Sequence, residues 1–276
     1  MSSIIDTLKK NNFRFNKQFG QNFITDQNLL RAIVDDAKIT KDDVVVEIGP
    51  GAGTLTKEIA KKAKEVFSFE IDNNLAPILN ETLQDCPNST VIFKDFQKVD
   101  DEQLNQILNN REYKVVANLP YYITTPIIMK FIESTYPPKS ITVMVQKEVA
   151  ERLKSNALTS EIGAISLSIA LYGDVEMTRV VSRKMFMPEP NVDSAVIRID
   201  MQNKYDNIDK KPVKKLIKAA FNMRRKTFLN NISNAFNISK DRIKEVLKEL
   251  NIDENIRGEA VSIDNYIAIA KKLGIN

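Results

Sequence analysis

Four consecutive residues, Asn118-Leu119-Pro120-Tyr121, combine two oxygen acceptors with an aromatic face. Pro120 biases Leu119 toward an extended conformation, so the Leu119 carbonyl projects instead of entering a helix. The Asn118 side-chain oxygen and that carbonyl can then both accept from one exocyclic NH2 group. Tyr121 offers a face on which a base stacks, worth roughly 1–3 kcal/mol per base. Upstream, Gly49-Pro50-Gly51-Ala52-Gly53 places three glycines in five residues, and glycine lets a backbone turn tightly and approach a ligand. The third glycine falls one residue earlier than in the dinucleotide fingerprint, which argues against NAD and leaves another nucleoside ligand open. A carboxylate at Glu70 can accept both hydroxyl hydrogens of a ribose. Asp95, next to Phe96, offers an acceptor beside a flat ring and so matches the amino edge and the plane of an adenine.

These groups need a scaffold that brings them to one edge. Apolar, β-branched runs at Val44–Ile48, Val66–Ile71, Thr90–Phe93, Val115–Ala117 and Ile141–Val145 are each separated by enough chain for a crossover helix. That spacing predicts a mainly parallel sheet covered on both faces. Leu55–Ala63 and Leu75–Leu83 are the clearest crossover helices, and Thr25 or Asp26 is placed to cap an earlier one. Further helices are expected at Lys147–Lys154 and Glu161–Leu171. A strand pair at Glu176–Val181 and Ala195–Asp200 completes seven strands, divided by the loop Phe186-Met187-Pro188-Glu189-Pro190-Asn191. The glycine turn, Glu70, Asp95 and Asn118 then all sit at strand ends, where an open α/β sheet binds its ligand. Beyond a polar stretch at 203–212, with Pro212 marking a helix start, apolar residues recur at helical spacing. The expected boundary lies between 204 and 205, with a small all-α domain over 205–276.

Composition narrows the chemistry. The 276 residues include no histidine, so Ser–His or Cys–His catalysis and histidine metal ligands are excluded, and no metal is expected. The single Cys86 cannot form an intrachain disulfide and suits a reducing compartment. The first thirteen residues lack the unbroken apolar core of a signal peptide. No stretch is long and apolar enough to span a bilayer, so the expected location is cytoplasmic. Net charge is +4, but residues 201–276 carry 16 basic and 9 acidic side chains. Residues 210–226 alone hold eight Lys or Arg and no acid: Lys210, Lys211, Lys214, Lys215, Lys218, Arg224, Arg225 and Lys226. A phosphate backbone is the natural partner of such a cluster, although a solvated helix face would look the same in sequence.

With these residues in view, the sequence resembles the S-adenosylmethionine-dependent ribosomal RNA adenine N6-dimethyltransferases. The resemblance runs from Lys17-Gln18-Phe19-Gly20-Gln21-Asn22-Phe23 through the glycine turn, Glu70, Asp95-Phe96 and the Asn118 tetrapeptide. It continues through Phe186-Met187-Pro188-Glu189-Pro190-Asn191-Val192-Asp193-Ser194 to Phe221-Asn222-Met223-Arg224-Arg225-Lys226. It implies a Rossmann-like class I methyltransferase fold and an S-adenosylmethionine cofactor. Asn22, Ile24, Gly49, Gly51, Glu70, Asp95 and Asn118 would contact that cofactor. Asn118, Leu119, Tyr121 and Phe186 would hold the target base, Phe186 as the wall opposite Tyr121. By residue type alone Phe186 reads as core, and only the resemblance makes it a stacking platform.

Gly49-Pro50-Gly51-Ala52-Gly53-Thr54-Leu55-Thr56 and Val192-Asp193-Ser194-Ala195 look like the branch that dimethylates two adjacent adenines of small-subunit (16S) rRNA during ribosome biogenesis. The branch acting on large-subunit (23S) rRNA, which confers macrolide resistance, usually has a Ser-Gly-Lys-Gly type turn, absent here. It and a non-catalytic assembly factor on the same fold are the alternatives. The implied partner is rRNA within a pre-30S particle, and with no dimerisation seam the expected state is a monomer.

Overall fold

A computed structural model describes Thr7, Lys10, Asn11 and residues 22–154, 163–202, 205–223 and 225–275. Lys17 to Gln21 of the N-terminal motif, Glu161 at the start of an expected helix, and Arg224 of the basic cluster lie outside the described residues. β1 (Phe23–Ile24) leads into α1 (Gln27–Asp36), which Asp26 caps by accepting the Leu29 N–H at 2.7 Å. Strand and helix then alternate through β2 (Val44–Ile48), α2 (Thr54–Ala60), β3 (Glu65–Glu70), α3 (Ala76–Thr82), β4 (Ser89–Phe93), α4 (Asp101–Leu108), β5 (Tyr113–Ala117), α5 (Tyr121–Ile132) and β6 (Ser140–Gln146). After α6 (Lys147–Lys154) and α7 (Ala164–Tyr172) come β7 (Asp174–Val181), β8 (Phe186–Met187) and β9 (Ser194–Asp200). The chain ends in α8 (Lys210–Ala220), α9 (Phe228–Phe236), α10 (Lys240–Glu249) and α11 (Ile263–Leu273).

The chain divides into two compact units, residues 1–150 with 176–201, and residues 151–175 with 202–276. The first is built on a seven-stranded sheet in the order β4-β3-β2-β5-β6-β9-β7. Strands β2 to β6 are parallel, and β9 runs antiparallel to β6. All five residues of β2 are buried, because a parallel strand covered on both faces has no solvent side. From β2 the chain winds outward to β4, then returns to β5 on the other side of β2. The order therefore reverses between β2 and β5, and a crevice opens above their carboxyl ends.

Sequence expectation placed Phe186-Met187 in a loop. Instead they form β8, which pairs antiparallel with β1 so that Ile24 faces Phe186 and Phe23 faces Met187. This ribbon escapes sequence patterning because it is two residues wide, below the length at which alternation can register.

The second unit is helical, with a core of Val213, Leu216, Ile217, Phe228, Ile232, Val246, Leu247 and Tyr266. It differs from the expected 204/205 boundary in including α7. Leu167 and Leu171, four residues apart on one face, share the core of Val213 and Leu216. Burying each contributes roughly 1.5–3 kcal/mol, which ties α7 to the C-terminal helices across intervening sequence. The basic helix α8 begins two residues before Pro212, capped by Asp209, which accepts the Lys211 N–H at 3.0 Å. Pro212 falls in the first turn, where its missing N–H costs nothing.

Candidate active site

Between β2 and β5 lies a cavity of about 310 Å3, within the range of small-molecule sites. The four residues expected at the target base, Asn118, Leu119, Tyr121 and Phe186, line it. So do the residues expected at the cofactor: Asn22, Ile24, Gly49, Gly51, Glu70, Asp95 and again Asn118, which is expected at both.

The floor is the glycine turn. Gly49, Gly51 and Gly53 have φ of +68°, +56° and +78°, in the left-handed region that glycine enters most readily. A Cβ on Gly51 would lie 2.6 Å from Cε1 of Phe23, so the turn is glycine for space as well as for conformation. Glu70 holds the turn against the end of β3. One carboxyl oxygen accepts the Gly51 N–H at 3.1 Å, and the other accepts those of Ile71 and Asp72, both at 2.9 Å. Burial pushes the Glu70 carboxyl up, with the three N–H donors opposing and the Asp72 charge adding to the rise.

Glu47, at the end of β2, is 1% exposed. Its carboxyl accepts the hydroxyls of Thr56 at 2.6 Å and Ser68 at 2.7 Å, tying α2 and β3 together beneath the turn. Burial raises it to about 7 against the pull of those two hydroxyls, and the Glu70 charge adds to the rise.

At the end of β5, the Asn118 amide nitrogen donates to the Asn22 carbonyl at 3.1 Å. With its nitrogen committed, the amide presents Oδ1 as acceptor. Pro120, at φ −53° and ψ 134°, turns the chain from strand into α5, and its carbonyl accepts from the Ile123 N–H and the Thr124 hydroxyl. Tyr121 opens that helix, and its phenol is pinned to Ser194 Oγ at 2.7 Å. Burial raises the Tyr121 phenol, against the Ser194 bond, and keeps the ring neutral. Phe186 is buried in the core and lines the same cavity through the β1–β8 ribbon. Asp95 caps a short 3-10 turn by accepting the Gln97 N–H at 3.0 Å, while Phe96 is wedged between Phe69 and Phe131 with centroids 5.1 and 5.0 Å away.

The family model described as ribosomal RNA adenine dimethylase matches residues 12–274. The chain belongs to that family. A ribosomal RNA small subunit methyltransferase A of Clostridioides difficile is 46% identical over 268 residues, covering 96% of this chain and 93% of that one. Its counterpart in Alkaliphilus oremlandii is 43% identical over 272 residues, covering 97% and 95%. Among solved structures, a dimethyladenosine transferase from Plasmodium falciparum superposes with a TM-score of 0.78 at 24% identity, over 92% of this chain and 98% of that one. The 23S rRNA methyltransferase ErmE gives 0.72 at 22%, over 91% and 99%. These two likenesses establish the fold, a Rossmann-like methyltransferase sheet with a C-terminal helical region.

Several groups in this rRNA adenine dimethylase carry no role in the sequence reading. Ser194 and Phe23 lie within motif strings but gain roles only through contacts with Tyr121 and Gly51. Glu47 precedes the turn by two residues and reads as an ordinary strand residue until its burial is seen. In the basic cluster, Lys211, Lys215 and Lys218 are exposed along one face of α8. Lys210 departs from the expectation. Its ammonium sits 4.8 Å from the Tyr172 ring centroid and 3.0 Å from Asp206, with the side chain only 16% exposed.

Proposed function

We propose that the protein transfers methyl groups from S-adenosylmethionine to N6 of two adjacent adenines of small-subunit (16S) rRNA, within a pre-30S particle. The fit to the cofactor rests on the glycine cradle a Cβ would fill and on carboxylates at successive strand ends. Gly49 and Gly51 would pass under its methionine portion, Glu70 would hold the ribose and Asp95 the adenine amino group, with Asn22 and Ile24 closing the site from the N-terminal side. When bound, S-adenosylmethionine supplies an electrophilic methyl group on a cationic sulfur.

The remaining work falls to this chain. The lone pair of an adenine N6 is delocalised into its ring. Two acceptors on the NH2 hydrogens, Asn118 Oδ1 and the Leu119 carbonyl, favour a pyramidal nitrogen whose lone pair points at the methyl. Tyr121 and Phe186 would clamp the base. Orientation at its best can supply up to about 7–11 kcal/mol of a bimolecular barrier. The methylated nitrogen is strongly acidic and loses its proton to water, so no group titrating near neutrality is required. The exposed lysines of α8 would contact phosphates of the RNA. A cytoplasmic monomer completes the reading.

The observation that carries it is the bond from Asn118 to Asn22, which commits the amide nitrogen and leaves its oxygen as an acceptor in the cavity. The test incubates wild type and Asn118→Ala with labelled cofactor and undermodified small subunits, then maps the modified adenines. Transfer measured at saturating cofactor should fall by about 10²- to 10³-fold in the variant. Near-normal transfer by Asn118→Ala would overturn the assignment. Modification confined to large-subunit RNA would favour the resistance-type activity.

A further inference from the structure

Tyr122 follows the clamp residue Tyr121 in the first turn of α5, yet the two rings have different surroundings. Successive helical residues point about 100° apart. Tyr121 is directed inward, its phenol on buried Ser194. Tyr122 is 63% exposed and nevertheless lines the same cavity, which places its ring at the mouth. It is the most exposed large hydrophobic side chain among the described residues.

An RNA base that enters the cavity leaves its stack, and the neighbouring base loses a stacking partner at the entrance. A flat ring at that point replaces what was lost. We propose that Tyr122 is the platform on which the nucleotide next to the target adenine stacks, making it a specificity residue that favours a purine neighbour. The inference rests on the methyltransferase reading and deepens it. Stacking reads the face of a base and ignores its edge. A neighbour already carrying two N6 methyl groups therefore fits as well as an unmodified adenine. That property lets one platform serve both transfers when two adjacent adenines exchange places between cavity and mouth.

The test uses the full chain and undermethylated small subunits reconstituted with either adenine or uracil beside a single target adenine. Wild type, Tyr122→Ala and Tyr122→Phe are compared for KM, kcat and cofactor affinity. With an adenine neighbour, Tyr122→Ala should raise KM by about 5- to 150-fold. Its cofactor affinity should stay at the wild-type level, and Tyr122→Phe should restore the KM. With uracil, which stacks less, the loss should shrink. An unchanged KM, or the same loss whichever base adjoins the target, would overturn the platform. Wild type that methylates neither particle would instead sink the underlying function, and the inference with it.

Discussion

The cavity of the sheet unit and the basic face of the helical unit both present charge and polarity to a ligand, by opposite means. In the cavity each functional group is held by a second one: Asn118 by Asn22, Tyr121 by Ser194, the glycine turn by Glu70. On α8 the basic side chains at 211, 215 and 218 lie on the exposed face of a helix whose other face is core. A held group acts through geometry, so its loss is large and local. A solvated charge acts through its sum with others, so its loss is small, additive and sensitive to salt.

The difference is sharpest for Glu47, a buried acid with two hydroxyl donors. Its carboxyl titrates at about 7 in the folded chain against an ordinary 4.5. Between those values the native state binds more protons than the unfolded one, so stability falls as pH rises through the window. The full difference amounts to about 3 kcal/mol by pH 8. Glu47→Gln should remove most of that slope. Glu70, raised in the same direction, leaves a residue of the same sign. Denaturant unfolding at pH 5 and pH 8 reads the effect directly. Parallel slopes for wild type and variant would mean that the carboxyl is charged throughout.

Gly51 tests whether the cavity floor is as unforgiving as its contacts imply. Gly51→Ala places a Cβ 2.6 Å from the Phe23 ring at a φ of +56°. The strained backbone alone costs about 1–3 kcal/mol. Cofactor binding, measured by calorimetry, should weaken at least about tenfold. Adding Phe23→Ala should recover the part due to collision and leave the part due to φ. Full recovery would show that the left-handed conformation contributes nothing.

What could be read in advance divides along the same line. The strands of the sheet were legible because Val44–Ile48 and Ile141–Val145 are rich in β-branched residues and apolar but for one residue each, Glu47 and Thr142. The site residues at strand ends followed from the sheet, since Gly49, Glu70, Asp95 and Asn118 each lie at or within two residues of the end of a legible strand. Contacts between distant segments were not legible. The Asn118 bond spans 96 residues, and it depends on the β1–β8 ribbon, whose two-residue strands carry no pattern. Helix α5 is masked by Ile123, Thr124, Thr125 and Pro126, which together read as extended chain. The affiliation of α7 hides for another reason: its apolar residues are not confined to one face, so periodicity cannot say which core it joins.

The basic helix sets the smallest effects, and it separates charges that matter from one that does not. Lys211, Lys215 and Lys218 lie at i, i+4 and i+7, on one exposed face. Changing all three to Gln should leave cofactor affinity untouched and flatten the salt dependence of RNA binding. The slope of log affinity against log salt should drop by about 2 to 3, from roughly 0.7–0.9 per phosphate contact. Lys210, in the same run of sequence, is already occupied by Asp206 and the Tyr172 ring. Lys210→Gln should leave that slope unchanged and cost about 1 kcal/mol of folding stability. If Lys210→Gln flattened the slope as much as Lys218→Gln does, the ammonium would have to leave Tyr172 for the RNA, and the division between held and solvated charge would fail at that residue.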